Sequence, residues 1–202
     1  MSQFKSRSIS YLKYVPENSS YWEWLFLMQH YKLPTRLLDW TESALVALAF
    51  AVIYRDNNKV RDPNKEGAHI WCLDPIKLNS QYNTLLDNPI PNITENEYAK
   101  DIGSISYKPT KGTLDAPLAV YGPQNNPRIV GQKGVFTVFP FNEKFKYDDF
   151  IGDIGLKIVI KTDALVKVIA EELLGLGISE SMIFPELDSI SAEIKREYIS
   201  GL

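Results

Sequence analysis

The sequence contains too little cysteine for a disulfide-stabilised fold. Cys72 is the only cysteine among the 202 residues, so an internal disulfide is excluded and we expect a reducing, intracellular environment. It lies in an apolar run at residues 70–73, which is typical of a buried strand. A thiol in such a strand is a weak candidate for a nucleophile.

Positive charge is also scarce. The 22 Lys and Arg residues are outnumbered by 25 Asp and Glu residues, and the formal net charge is −3. Binding a polyanion requires clustered basic side chains that neutralise several phosphates. We therefore expect no nucleic acid partner.

Long apolar runs are missing as well. The longest, at residues 44–54, is much shorter than the roughly 20 residues that a membrane-spanning helix needs. Residues 1–14 do not join a basic stretch to an apolar segment and a cleavage site, as a secretory signal would. These absences predict a soluble, cytoplasmic protein with no membrane partner and no metal site.

Apolar side chains recur at helical and at strand spacing. Three- and four-residue spacing predicts a helix over about residues 21–31, opened by a capping box of Ser20 and Glu23. An almost wholly apolar pattern predicts a buried helix from Thr41 or Ser43 to about Tyr54. The other predicted elements are strands at residues 35–40, 68–73, 135–139 and 156–160, a helix from 163 to Gly175 or Gly177, and a last helix after Phe184-Pro185 with an apolar stripe of Leu187, Ile190, Ile194 and Tyr198 and a solvated face that includes Glu193.

These elements mix without strict alternation, which predicts the α+β class. We expect a single domain over residues 20–202, preceded by a separate segment at residues 1–19. The domain is predicted to hold a mixed or antiparallel sheet, a buried central helix and packed C-terminal helices. Residues 79–112 are rich in Asn, Pro, Ser and Thr, which predicts a long surface excursion.

Residues 29–41 place an unusual density of polar side chains between two apolar helical patterns. The candidate site residues are His30, Thr35, Arg36, Asp39, Trp40 and Thr41 in this first polar block and Glu42 directly after it. A strand that leads into a buried helix leaves free amides and the positive end of the helix dipole beside Asp39 and Thr41, where anionic or hydroxyl-rich ligands bind well. The structural alternative stays open: Thr41 caps the helix and Asp39 pairs with Arg36.

A second polar block, residues 126–134, precedes the predicted strand that contains Phe136. Gly131 and Gly134 flank Gln132, which predicts a sharp bend or a close approach of the backbone. Arg128 and Gln132 are the candidates here, with a salt bridge and a bond to loop carbonyls as their structural alternatives. We expect the two polar blocks to meet around one cleft, with Thr41 near Gln132.

The first polar block, followed by Ala47-Leu48 and Phe50-Ala51, resembles the central signature of the FRG domain family. Two later blocks agree with it in order. Arg128-Ile129 with Gln132 and Gly134-Val135-Phe136 resembles the second block of the family, and residues 172–188 resemble its C-terminal block. The resemblance covers about residues 20–198.

Two features depart from the family pattern. Lys32 stands where the family usually carries glycine, so this lysine is expected to adopt a left-handed conformation that costs about 1 kcal/mol relative to glycine. The Phe-Arg-Gly motif that names the family is missing, and residues 1–19 have no equivalent in the motif comparison. Either the chain is a shortened member or it starts inside a longer domain.

A more distant likeness concerns Leu38-Asp39-Trp40-Thr41-Glu42-Ser43 and the Ala-rich helix after it, which resemble a strand-to-helix block of ADP-ribosyltransferases. This likeness implies an enzyme that takes NAD as substrate, with no certain cofactor. Cleaving the nicotinamide–ribose bond needs a carboxylate near the ribose and donors on the pyrophosphate. The implied roles are a catalytic group of His30, Asp39 and Gln132, with ligand contacts from Thr35, Arg36, Trp40, Thr41, Glu42, Arg128 and Phe136.

Three interpretations stay open. In the first, the protein is an ADP-ribosyltransferase-like or NAD glycohydrolase enzyme that binds a small-molecule nucleotide. In the second, it is a non-catalytic module that binds a ligand or a protein partner, as the missing motif favours. In the third, residues 35–41 form a polar network that only fixes the turn.

Overall fold

A computed structural model describes residues 1–54, 67–82, 89–93, 116–140 and 152–200. Helices and strands are mixed in these stretches, which confirms the α+β class. The helices are α1 (Ser2–Ser8), α2 (Tyr21–His30), α3 (Ala44–Val52), α4 (Pro75–Tyr82), α5 (Pro127–Gly131), α6 (Asp163–Gly175), α7 (Glu180–Ile183) and α8 (Leu187–Ser200), with a short 3-10 turn at Ile9–Tyr11.

The strands form two small sheets. They are β1 (Leu37–Thr41), β2 (Ala68–Leu73), β3 (Leu118–Val120), β4 (Gly134–Val138) and β5 (Gly155–Ile160). One sheet has the order β1-β4-β3, with β3 and β4 antiparallel and Ala119 opposite Thr137. The other pairs β2 with β5 antiparallel, from Ala68 opposite Ile160 to Leu73 opposite Gly155. Every strand predicted from the sequence is present, with ends shifted by one or two residues.

Helix α2 begins where its apolar spacing predicts, but the predicted capping box is not formed. Ser20 is the N-cap residue and makes no side-chain cap bond. Glu23 instead accepts a hydrogen bond from the Tyr14 hydroxyl at 3.4 Å. The Ser-x-x-Glu pattern therefore predicts the start of the helix correctly, but the cap bond predicted for the Ser20 side chain is not formed.

The predicted start of the long surface excursion at residue 79 is wrong. Residues 79–82 belong to α4, and Asn79 is only 1% exposed. Asp74 caps this helix through its carboxylate, which accepts from the Lys77 amide at 2.9 Å. Pro91 and Ile93 are also buried. Residues 83–88 and 94–112 of the predicted excursion lie outside the described residues.

The chain divides into two compact units, each assembled from separate stretches. The first contains residues 1–39, 74–123 and 136–150, and the second contains residues 40–73, 124–135 and 151–202. The single-domain boundaries stay a prediction.

The first unit buries the aromatic side of α2 and the inner side chains of β3 and β4. Trp24 is fully buried, and its indole donates to the Glu17 carbonyl at 2.9 Å. Phe26 packs edge-on against Phe136 with ring centroids 4.7 Å apart. The fully buried side chains of this unit also include Leu78, Ile93, Leu118, Val120 and Val138.

The second unit is built around α3, the helix predicted to be buried and central. Ser43 caps it, accepting from the Val46 amide at 3.4 Å. Val46, Ala49 and Val52 are buried, whereas Leu45 is exposed, so α3 is buried along one side and not all round. Its buried side joins a core that contains Ala68, Ile160, Val166, Leu173, Ile178 and Ile183.

The last helix, α8, is oriented opposite to the prediction. Its apolar stripe of Leu187, Ile190, Ile194 and Tyr198 is exposed. Ser189 is buried and Glu193, assigned to the solvated face, accepts from the Ser181 amide at 2.6 Å and from the Ser181 hydroxyl at 2.7 Å. The apolar pattern predicts the helix but not the side by which it is attached.

Candidate functional site

The first polar block starts at the end of α2, where the chain turns toward β1. The Lys32 amide donates to the Gln29 carbonyl at 2.9 Å, and Lys32 has φ 61°. The left-handed conformation predicted for this lysine is thus confirmed. His30, the last residue of α2, is partly buried with its ring edge-on to Tyr31 at 5.0 Å.

Gln29 organises the side chains of this block in the first unit. Its amide donates to Asp39 Oδ1 at 3.1 Å, and a longer contact of 3.4 Å reaches the Leu37 carbonyl. The Thr35 hydroxyl donates to Gln29 Oε1 and accepts from the Leu37 amide at 3.1 Å. Thr35 therefore fixes Gln29, and Gln29 orients the exposed carboxylate of Asp39.

Gln29 begins the first polar block, yet no individual role in the site was predicted for it. Its position one residue before the helix end gave no signal of its own. Only the fold shows that the α2 terminus lies beside β1, within reach of Asp39.

Arg36 places its guanidinium against two aromatic faces. The Cζ atom lies 5.4 Å from the Trp22 ring centroid and 5.6 Å from that of Tyr21, at cation–π range. Burial lowers the pKa of Arg36, while Tyr21 works in the opposite direction. The Arg36 carbonyl accepts from the Phe139 amide at 2.8 Å. Arg36 thus helps to hold the strand end, and its role as a phosphate ligand stays a prediction.

In the second unit, Thr41 and Gln132 are in direct contact. The Thr41 hydroxyl donates to the Gln132 carbonyl at 2.7 Å and accepts from the Ser43 amide at 3.0 Å. Beside this contact, the Glu42 amide donates to the Lys133 carbonyl at 3.2 Å. The predicted proximity of Thr41 and Gln132 is confirmed.

The Gln132 side chain makes a hydrogen bond within the protein. Its amide donates to the Ile183 carbonyl at 3.2 Å. Next to it, a Cβ on Gly131 would lie 2.8 Å from the Met182 carbonyl oxygen, which confirms the close backbone approach predicted there. Lys133 has φ 46°, so the bend in this loop falls on a lysine.

Arg128 sits in the single-turn helix α5. Asn126 caps that helix, accepting from the Arg128 amide at 2.9 Å. The Arg128 guanidinium lies over the Phe184 ring, 4.7 Å from its centroid, a geometry that attracts the cation to the ring face. An arginine held this way is ordered while remaining partly exposed.

The remaining candidates differ in exposure. Phe136 is 5% exposed and packs on Phe26, so little of its ring is accessible to a stacking ligand. Trp40 is partly buried in β1, and Glu42 is exposed just after it. His30, Thr35, Arg36, Asp39 and Phe136 belong to the first unit, whereas Trp40, Thr41, Glu42, Arg128 and Gln132 belong to the second. One shared cleft stays a prediction.

Within residues 1–54, 67–82, 89–93, 116–140 and 152–200, no three His, Cys, Asp or Glu side chains are grouped to hold a metal ion. Across those same stretches, no helix has the length and apolar character required to cross a membrane.

Comparison with known proteins identifies one family. The FRG domain matches residues 1–60, a span that contains the whole first polar block and also the first 19 residues, which the motif comparison left without an equivalent. The second and third blocks lie outside the matched span. Neither curated proteins nor solved structures give a match. Residues 1–60 of this chain therefore match the FRG domain, which confirms the resemblance carried by its first polar block.

Proposed function

We propose that this protein is an ADP-ribosyltransferase-like or NAD glycohydrolase enzyme in which Asp39 is the catalytic carboxylate. The observation that supports the proposal is the arrangement of Asp39, an exposed side chain whose orientation is set by the Gln29 amide. Gln29 is in turn set by Thr35. The carboxylate is therefore exposed to a ligand, and the bond from Gln29 sets its orientation before a ligand binds.

The chemistry needs such a group. Breaking the nicotinamide–ribose bond of NAD develops positive charge on the ribose, and a carboxylate fixed beside it stabilises that charge. A preoriented group loses little rotational freedom when the ligand arrives, so more of its electrostatic effect lowers the barrier. In this proposal Asp39 stays ionised and His30, at the end of α2, orients the ribose.

Asp39→Asn is the sharpest test, because the amide retains an oxygen for Gln29 and removes only the charge. We expect the purified protein to bind NAD by calorimetry and to release nicotinamide, and the variant to lose about a hundredfold or more of that turnover. Asp153→Asn, an exposed carboxylate outside the polar blocks, is the matched control and should behave as the parent protein. No NAD binding and no nicotinamide release by the parent protein would overturn the proposal.

Gln29→Ala tests the orienting role. The carboxylate remains but loses the Gln29 bond that helps to orient it, so kcat should fall while KM changes little. An unchanged kcat would remove Gln29 from the mechanism and leave Asp39 to be judged by its own variant.

The second candidate function is a non-catalytic module that binds a nucleotide or a protein partner. The observation that favours it is the Gln132 side chain, which is bound to the Ile183 carbonyl and carries no charge that would assist bond breaking. Under this alternative, NAD or another nucleotide binds without any nicotinamide release. Turnover that depends on Asp39 excludes it.

A further inference from the structure

Helix α8 presents its apolar side to solvent. The exposed fractions are 81% for Leu187, 44% for Ile190, 48% for Ile194 and 86% for Tyr198. These four residues, the α8 stripe, recur at three- and four-residue spacing and so form one continuous face of the helix. An ordered apolar face of this kind on a surface helix marks an interaction site more often than an accident of composition.

The opposite side of α8 is fastened to its own unit by polar contacts. Both the amide and the hydroxyl of Ser181 donate to the Glu193 carboxylate, and Arg196 pairs with Glu180 at 2.9 Å. Burial alone would raise the pKa of Glu193, but these bonds and Arg196 lower it. The helix is therefore held with the α8 stripe pointing outward.

We propose that the α8 stripe is the interface with a second copy of this chain, the two α8 helices packing antiparallel about a two-fold axis. In a two-fold interface the same surface meets itself, so each contact occurs twice. The axis falls between Ser191 and Ala192, near the middle of the α8 stripe. The small side chain of Ser191 beside the stripe allows the two helices to approach closely there.

One pair of opposite charges, Asp188 and Lys195, favours this occupant and this direction. Asp188 and Lys195 are exposed and lie seven residues apart, so they share one flank of the α8 stripe. They are equally distant from the axis between residues 191 and 192. Antiparallel packing therefore brings Asp188 against the partner's Lys195, and Lys195 against the partner's Asp188.

The apolar pairs are centred within about one residue of the same axis. Ile190 meets the partner's Ile194, and Leu187 meets the partner's Tyr198, each contact occurring twice. On the other flank, Glu186 faces the partner's Glu197 at the two ends of the interface. Both are exposed to water, which screens their repulsion.

Sedimentation over a wide range of protein concentration tests the dimer. We expect a monomer–dimer equilibrium, and Ile194→Asp should raise its dissociation constant by about a hundredfold or more, because the buried charge enters the interface twice. Val168→Asp is the matched control, since Val168 is 49% exposed on α6, close to the 48% of Ile194, and lies outside the α8 stripe. Circular dichroism confirms that both variants are folded.

Charge reversal tests the antiparallel register. Asp188→Lys and Lys195→Asp should each weaken the dimer, since each places like charges opposite each other twice. An equimolar mixture of the two single variants should form a heterodimer, and the double variant D188K/K195D should dimerise like the parent chain. A parent chain that stays monomeric at every concentration overturns the proposal, as does a dimer that Ile194→Asp leaves intact. Dimers that the charge variants do not discriminate overturn the antiparallel register.

Discussion

Asn79 shows what a single buried polar side chain does in this fold. Its amide nitrogen donates to the carbonyls of Pro89 at 2.6 Å and Ala119 at 2.9 Å, and its oxygen accepts from the Ala119 amide at 2.8 Å. One side chain thus joins α4 to β3 and to the chain before Pro91. Sequence patterns assign asparagine to surface loops, and only the tertiary structure shows that this one is buried.

Asn79→Ala should lower the free energy of unfolding by about 3 kcal/mol, because it leaves buried backbone groups without partners and opens a small cavity. Urea denaturation measures the loss. Asn79→Asp should also destabilise the protein, since a carboxylate cannot donate to either carbonyl. Asn125→Ala, in an exposed position, is the control, and an equal effect at both sites would contradict the assigned role of Asn79.

Lys32 adopts φ 61°, a backbone conformation that glycine takes without steric cost. Lys32→Gly should therefore raise the free energy of unfolding by about 0.5–1 kcal/mol, a figure that already subtracts the greater freedom of glycine in the unfolded chain. Urea denaturation measures the gain as a higher midpoint. Lys32→Ala keeps the strain while removing the charge, and it should give no gain. Equal stabilisation by alanine would attribute the effect to charge.

At the scale of elements, local patterns predict well what local interactions decide. The apolar spacing of α2 and the start of α6 at residue 163 depend on neighbours within a few residues, and both are found as predicted. The attachment of α8 depends on Ser181 and Glu193, which meet only in the folded chain. An apolar stripe shows which side of a helix can be buried. It does not show which element, or which other molecule, covers that side.

The bond between Glu193 and Ser181 predicts a pH dependence for the attachment of α8. Because the folded-state pKa of Glu193 is lowered, its stabilising effect is present above the ordinary value of 4.5 and is lost as the pH falls through the folded-state pKa. Glu193→Gln should destabilise the protein at neutral pH by about 1 kcal/mol, the low end for a bond to a charged group at a partly exposed site.

The same variant should lose less stability than the parent chain as the pH falls below 4.5, since it has no carboxylate to protonate there. Urea denaturation across that range gives the comparison. Glu172→Gln, an exposed carboxylate on α6, is the control and should follow the parent chain. Parallel pH profiles for the parent chain and Glu193→Gln would contradict this account of the α8 attachment.

At the scale of the whole molecule, the sequence located the candidate site better than it described its contacts. Polar density marked residues 29–41, and the glycines around Gln132 marked a close approach that the structure contains. The bonds from Thr35 to Gln29 and from Gln29 to Asp39 were not predicted, because a glutamine on an amphipathic helix looks like any surface residue. Which residue Gln29 bonds to depends on the position of β1 in the folded chain.

Thr41 provides the longest-range test, because its hydroxyl joins residues 91 positions apart in the sequence. Thr41→Val keeps the shape and removes the hydroxyl, leaving the Gln132 carbonyl without this donor and the Ser43 amide without this acceptor. We expect the free energy of unfolding to fall by about 1–3 kcal/mol. Thr41→Ser keeps the hydroxyl and should cost less than half as much. If valine and serine cost the same, packing of the Thr41 side chain, and not its hydroxyl, stabilises the contact with Gln132 inside the second unit.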